Sequence, residues 1–270
     1  MRAAARWVLA MVAGAAALAS CGGGDSDARP RAEGAAPARA AAAAPAVPIL
    51  LYHHLGDPPA GDRHASLWVA PQRFRAQVRA LHAAGLHAVT LARVHAGWHG
   101  GARLPARPVV ITFDDGFPEQ DAVGRVALRR LRWPAVLNLQ LDRLDLAGGL
   151  SRAAVRRMVA DGWEVDDHST THPDLTRVGA ARLRSEVTGS RAAMRRALGL
   201  DPRFFCYPYG RVDARVRRAV QAAGFLGATT TRPARATARD DPFTLPRIVV
   251  RRTTTPAQLV RIATGRAGGG

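Results

Sequence analysis

What most constrains the fold of this chain is an alternation that begins at Val47. Short apolar runs suited to strands fall at 48–52, 87–91, 109–113, 135–139, 164–165 with the residues after, 204–207, 225–229 and 247–250. Between most of them lie segments with apolar residues at three- and four-residue spacing, such as Phe74, Val78, Leu81 and Val123, Val126, Leu131, the pattern of amphipathic helices. Strand followed by helix, repeated seven or eight times, predicts a parallel sheet closed into a (β/α) barrel. An open doubly wound sheet is the alternative, but no Gly-x-Gly-x-x-Gly follows the first strand to recommend it. The stretch from Val47 onward, about 225 residues, is enough for one large core.

In such a barrel chemistry sits where the strands end, and the polar clusters fall there. The run Val109, Val110, Ile111, Phe113 stops at Asp114-Asp115-Gly116. Successive side chains of a strand point opposite ways, but a glycine at its end lets the chain turn so that both acids face one cavity. Like charges that close need a cation or a proton between them. A second strand runs into His168-Ser169-Thr170-Thr171-His172, and two such histidines with one carboxylate make a set used for catalytic divalent metals. The ordinary uses of these stretches are a solvated Asp-Asp-Gly turn and a polar surface loop. Their joint occurrence at two strand ends favours the metal reading.

These residues carry a resemblance. Thr112-Phe113-Asp114-Asp115-Gly116 followed by His168-Ser169-x-x-His172 resembles the first two motifs of the polysaccharide deacetylases, the NodB-homology domain of carbohydrate esterase family four. The resemblance spans about residues 47–264 and implies a distorted (β/α)7-8 barrel, with Asp114 as catalytic base and Asp115, His168 and His172 as ligands of a divalent metal, zinc first, with cobalt, nickel or manganese as alternatives. The third family motif, R-x-P-Y-G, is met by Cys206-Tyr207-Pro208-Tyr209-Gly210. There the Tyr209 backbone N–H is expected to face the oxyanion. Cysteine stands where the family has an arginine that pairs with the catalytic Asp, and cysteine cannot replace that charge. Arg247, in Leu245-Pro246-Arg247-Ile248, is the candidate to supply it. The late Leu-x-x-His motif that usually gives the general acid is missing, since none of the nine histidines follows His172. Tyr52-His53 instead resembles the start of the exported poly-N-acetylglucosamine deacetylases, which assigns His53 as acid, ahead of His54.

Other features are less specific. Asp166 and Asp167 read equally well as groups orienting a ligand or as exposed loop acids. Trp68, Trp98, Trp133 and Trp163 read as packing before sugar platforms. Cys206, between Phe205 and Tyr207, reads as a buried and inert thiol.

Arg2 and Arg6, an apolar stretch from Trp7 to Ala19 and then Leu18-Ala19-Ser20-Cys21 read as a signal peptide over 1–20, its apolar core too short for a stable span. Leu-Ala-Ser-Cys resembles a lipobox, which implies lipidation of Cys21 and anchorage in a membrane of the cell envelope. Residues 21–46 are rich in Gly, Ala and Pro without periodicity and form a linker; 265–270 form a tail. With Cys21 lipidated, Cys206 has no disulfide partner.

All 39 basic residues are arginine, and removing the two in the signal leaves 37 against 21 acids, a balance of +16. Such a charge can mark nucleic-acid binding, but these arginines are scattered over every helix with little aromatic interleaving, so no nucleic acid is expected. The sequence reading is therefore an exported, lipid-anchored deacetylase acting on N-acetylglucosamine units of poly-N-acetylglucosamine or peptidoglycan, of undetermined oligomeric state. Its competitors are a catalytically silent carbohydrate-binding or scaffolding protein on this fold, and a deacetylase of xylan esters or a small molecule.

Overall fold

The structure, a computed structural model, describes residues 45–265. The signal, the lipobox at Cys21, most of the linker and the last five residues lie outside the described residues.

Eight strands form: β1 Ile49–Tyr52, β2 His87–Ala88, β3 Pro108–Asp115, β4 Val136–Leu139, β5 Glu164–Asp167, β6 Phe204–Cys206, β7 Gly227–Thr229 and β8 Ile248–Val249. Seven follow the order β7-β6-β5-β4-β3-β1-β8, while β2 pairs with the first residues of β3. Every paired ladder is parallel, as the helical crossovers require. The sheet curls into the expected distorted barrel, a half-barrel whose two ends meet through irregular chain. Thr229 and Leu245 bridge in parallel, with Leu245 N donating to Ala228 O at 2.9 Å and Thr230 N to Leu245 O at 2.9 Å. Pro242 and Pro246 flank that bridge, and a residue without an N–H cannot extend a ladder.

Helices α1 Pro71–Ala83, α2 Leu91–His99, α3 Val126–Arg129, α4 Arg152–Ala160, α5 Ala180–Arg184, α6 Ser190–Leu198, α7 Ala214–Ala222 and α8 Pro256–Thr264 carry the crossovers. Thr90, Ser151, Asp213 and Thr255 cap four of them by accepting a backbone N–H from the first turn. The alternation of the strands gives the core an inner side and a helix-facing side, within three clusters. Leu50, Tyr52, Ile111, Phe113 and Leu137 face the helices, meeting Phe74, Val78 and Leu81 of α1. Ile49, Val110, Val136 and Phe204 fill the inside of the curl.

One expected stripe is displaced. Leu128, not Val126, is the fully buried residue, and Val126 is 40 % exposed. A π-type turn over Gln120–Arg125 precedes α3 and adds a residue to the turn, rotating the following face. The same turn buries Gln120, whose amide donates to His53 O at 3.0 Å and Asp114 O at 2.6 Å, tying the ends of β1 and β3 together.

Candidate active site

A cavity of about 550 Å³ opens at the C-terminal ends of the strands and is lined by His53, Asp114, Asp115, His168, His172 and Tyr209, all six residues singled out from the sequence, together with Arg247.

Asp114 and Asp115 reach it by different routes. Thr112 and Asp114 share the inward face of β3, whereas Asp115 has the parity of Phe113, which packs against helices. Asp115 adopts φ 74° and Gly116 φ 88°, so the reversal expected of the glycine begins one residue earlier. A Cβ on Gly116 would lie 2.7 Å from Leu139 Cδ1. Ser169, His172 and Tyr209 are also left-handed, at φ 63°, 55° and 60°. Non-glycine residues hold such angles only where the surroundings impose them, and they gather at functional sites.

Asp114 is buried and bound on both oxygens. Arg247 Nη1 donates to Oδ1 and Nη2 to Oδ2, each at 2.8 Å, and Asn138 Nδ2 donates to Oδ1 at 2.6 Å. The Cys206 thiol lies 3.5 Å from Oδ2, and Arg247 Nη2 is 3.1 Å from its sulfur. Burial alone would raise the Asp114 carboxyl, but the guanidinium outweighs it and holds the pKa far below the usual carboxylate range. Arg247, itself 1 % exposed, is fixed by Nε donating to Thr230 O at 3.0 Å. The cation missing from the third motif thus arrives from the segment before β8, beside the cysteine that replaced it.

Asp115, His168 and His172 form a cluster whose ligand atoms lie within 4.8 Å of one another. Asp115 Oδ1 stands 3.5 Å from His168 Nε2 and 3.8 Å from His172 Nε2, and is buried without a hydrogen-bond partner. An orphaned buried carboxylate oxygen facing two imidazole nitrogens fits a divalent cation. The His168 Nδ1–H donates to Cys206 O at 2.7 Å, which makes Nε2 the ligand atom for a metal, whose binding would displace the proton that the surrounding groups favour there. Burial pushes Asp115 up, but His168 and its fellow imidazoles outweigh this and leave it at about 2. Burial and the charge of His168 lower His172 to about 4, favouring the neutral, ligating form. Asp114, His168 and Cys206 also approach within ligand distance, but the Arg247 guanidinium already occupies the cationic position beside Asp114.

The loop carrying the histidines is held from outside. Glu186, 4 % exposed, accepts from Thr170 N at 3.0 Å, Thr171 N at 2.9 Å and the Thr171 hydroxyl at 2.6 Å. Ser169 Oγ accepts from His172 N at 3.0 Å. Asp166 and Asp167 are both fully buried and are not the exposed loop acids that the sequence allowed. Asp166 Oδ1 accepts from Arg203 N and Phe204 N at 3.2 and 3.0 Å. Asp167 Oδ1 accepts from Ser169 N at 2.8 Å and the Ser190 hydroxyl at 2.7 Å. Glu186, Asn138 and Gln120 left no mark in the sequence, since each acts across a gap in the chain.

The two neighbouring histidines part company. His54 is stacked between Trp68, at 3.8 Å, and Phe117, at 3.6 Å, and its Nδ1 is bonded to Glu119 at 2.8 Å. His53 keeps a buried Nδ1 without a partner, and burial lowers its pKa. Tyr209 sits in a turn over Pro208–Gly210 with its ring edge-on to His172, at 4.6 Å. Trp133 and Trp163 are core residues, Trp98 packs beside the inner core and Trp68 lies in the His54 stack, so packing accounts for all four. Cys206 is buried and free.

The family model described as polysaccharide deacetylase matches residues 101–228. Among curated proteins, the chain is 37% identical over 108 residues to a chitooligosaccharide deacetylase of Bradyrhizobium, covering 38% of this chain and 47% of that protein. A polysaccharide deacetylase from Bacillus cereus superposes with a TM-score of 0.73 at 26% identity, over 81% of this chain and 69% of that one. The Streptococcus pyogenes deacetylase PplD, solved in complex with acetate, has the same fold, with a TM-score of 0.75 at 23% identity, over 81% of this chain and 98% of that one. Residues 101–228 thus match the polysaccharide deacetylase model on a shared fold, and around an Asp-His-His cluster with an arginine-bound carboxylate beside it these similarities support a hydrolase acting on amide bonds.

Proposed function

We propose that the protein is an exported, lipid-anchored N-deacetylase that hydrolyses acetamido groups of an N-acetylglucosamine-containing polymer with a divalent cation, zinc first, held by Asp115, His168 and His172. The observation that carries this reading is Asp114, ionised by a bidentate arginine and set beside that ligand cluster in one cavity.

When bound, such a cation supplies the acidity of the attacking water and polarises the acetyl oxygen. A carboxylate held far below its usual pKa is reliably ionised but weakly basic, which suits a water made acidic. Asp114 accepts the proton at Oδ2, because Oδ1 is shared by Arg247 and Asn138 while the other neighbour of Oδ2 is only a weak thiol donor. The Tyr209 N–H, fixed by Pro208 and the left-handed turn, faces the developing oxyanion, a donor of a kind worth roughly 3 to 4 kcal/mol. His53 protonates the leaving amine; its lowered pKa makes the imidazolium a stronger acid.

The test is acetate release from chitin oligomers, poly-N-acetylglucosamine, peptidoglycan and acetylated xylan, with and without chelator. Release from an N-acetylated glycan, abolished by chelator and restored by added metal, is expected. Glycan binding without release would favour the silent carbohydrate-binding protein. His53→Ala should lower turnover with metal content unchanged. Lipid labelling that survives Cys21→Ser would remove the anchor.

A further inference from the structure

Phe117 and His54 line one wall of the cavity in a stack backed by Trp68, and Arg143 and Arg251 line the same cavity. The Arg143 guanidinium lies 4.4 Å over the Phe117 ring, Phe117 stacks on His54 at 3.6 Å, and His54 on Trp68 at 3.8 Å with the planes 1° apart. Just before Trp68, Ser66 Oγ accepts from Arg251 Nη1 at 3.3 Å. Stacking consumes both faces of the Phe117 and His54 rings, so this wall offers edges and cations, not a platform for a sugar face.

The two cations are held but not neutralised. Arg143 is fixed by the phenyl ring and by Nη2 donating to Gly148 O at 3.2 Å, and Arg251 by Ser66. Among the described residues neither guanidinium has a carboxylate partner. The carboxylates lining the cavity are otherwise engaged: Asp114 with Arg247, Asp115 with two imidazoles. Elsewhere arginines near acids do pair, as Arg191 and Arg195 do with Asp201 and Arg232 with Asp240. A guanidinium fork fixed in an open cleft presents paired N–H donors to a carboxylate or phosphate.

We infer that the glycan bound here is anionic, carrying carboxylate or phosphate groups beside the acetamido sugar, with the cavity-lining Arg143 and Arg251 reading those groups. This rests on the deacetylase reading and narrows its substrate. Every acetyl removed leaves an ammonium on the polymer, so a neutral chain becomes a polycation that this cleft repels. An anionic chain moves only toward neutrality and stays bound.

The experiment compares length-matched oligosaccharides that are neutral, carboxylated on an N-acetylmuramic-type ether, phosphorylated, or partly deacetylated, by acetate release and in parallel by calorimetric binding. The anionic oligomers should have lower KM and tighter binding than the neutral one, the carboxylated and phosphorylated arms showing which group is read, and the partly deacetylated one should be weakest. Arg143→Gln and Arg251→Gln should each shrink the preference about tenfold, the effect of one lost charge-assisted hydrogen bond. Arg130→Gln, an equal change of net charge at the exposed end of α3, should leave it intact. Salt near 1 M, where screening acts over about 3 Å, should erase it. Equal KM and binding for neutral and anionic oligomers, or the same loss in Arg130→Gln, overturns the inference while acetate release leaves the deacetylase standing. Anionic binding preference without acetate release from any oligomer overturns the deacetylase and leaves the cleft assignment in place.

Discussion

Two strands of this protein end in Asp-Asp, one strand apart. Asp114 and Asp115 close β3, Asp166 and Asp167 close β5, and through β4 they stand in register, Asp114 level with Asn138 and Asp166, Asp115 level with Leu139 and Asp167. Their fates diverge. Asp114 meets a guanidinium and is ionised far below the usual range, while Asp115 is turned by its own left-handed backbone toward two imidazoles. At β5 no such cation compensates, so burial dominates and pushes Asp167 up to about 7 and Asp166 well up too. There the acids accept backbone N–H bonds and peg the neighbouring strand and loop. The difference teaches that a dipeptide and its place at a strand end do not set its chemistry; the nearest cation does.

The sharpest way to break the comparison is to neutralise the β3 pair. Asp114→Asn should cut acetate release by about 10²- to 10⁴-fold, the usual contribution of a placed proton acceptor, while metal content after dialysis stays at the wild-type level. Asp115→Ala should lose both. Equal metal loss in the two variants would erase the division of labour.

Removing the cation should make β3 behave like β5. Arg247→Met leaves a buried carboxylate unpaired, a change that costs about 3–5 kcal/mol in urea unfolding while the acid stays charged. The sign of the pH dependence reverses with it. In the wild type the depressed pKa of Asp114 contributes stability present above its unfolded value and lost as pH falls through the folded one. In the variant burial raises the pKa, stability declines as pH rises, and acetate release acquires an acid limb near neutrality. Adding Cys206→Arg, which returns a guanidinium to the third motif, should restore part of the rate. An unchanged pH profile in Arg247→Met would mean that Asp114 does not depend on it.

A smaller effect is expected one layer out. Glu186→Gln keeps the shape but loses charge and acceptor capacity under the loop between the two histidines, and should weaken metal binding by about 10- to 100-fold in a chelator competition. Affinity equal to wild type would confine Glu186 to packing.

The smallest effect belongs to β5. Asp167 binds its proton more tightly folded than unfolded, so between its ordinary value and about 7 the folded state loses stability as pH rises. Asp167→Asn keeps an acceptor for Ser169 N and the Ser190 hydroxyl and cannot ionise, so thermal melts across that window should be flatter. A slope equal to wild type would show that Asp167 is already ionised. Asp166→Asn should leave acetate release unchanged, since Oδ1 still accepts from Arg203 and Phe204.

How much of this was legible follows from how local each signal is. Phe74, Val78 and Leu81 are buried together as their spacing demands, because helical periodicity is written within a few residues. The stripe through Val126 is displaced because a π-type turn changes the count per turn and leaves no compositional trace. His53 and His54 are neighbours with the same side chain, and only the structure shows one committed to a stack and an ion pair and the other to the cavity. The pairing of Arg247 with Asp114 was open to inference only as a gap in a motif in search of a charge.

The sequence by itself determined the alternating elements, the parallel sheet they build, and the strand ends where acids and imidazoles collect, since these depend on neighbours along the chain. The tertiary structure decided which carboxyl is held below its ordinary pKa, which is pushed above it and which faces two imidazoles, because a pKa depends on charges and burial across space. Arg247 lies 133 residues from Asp114 along the chain, and nothing at either position alone specifies their contact.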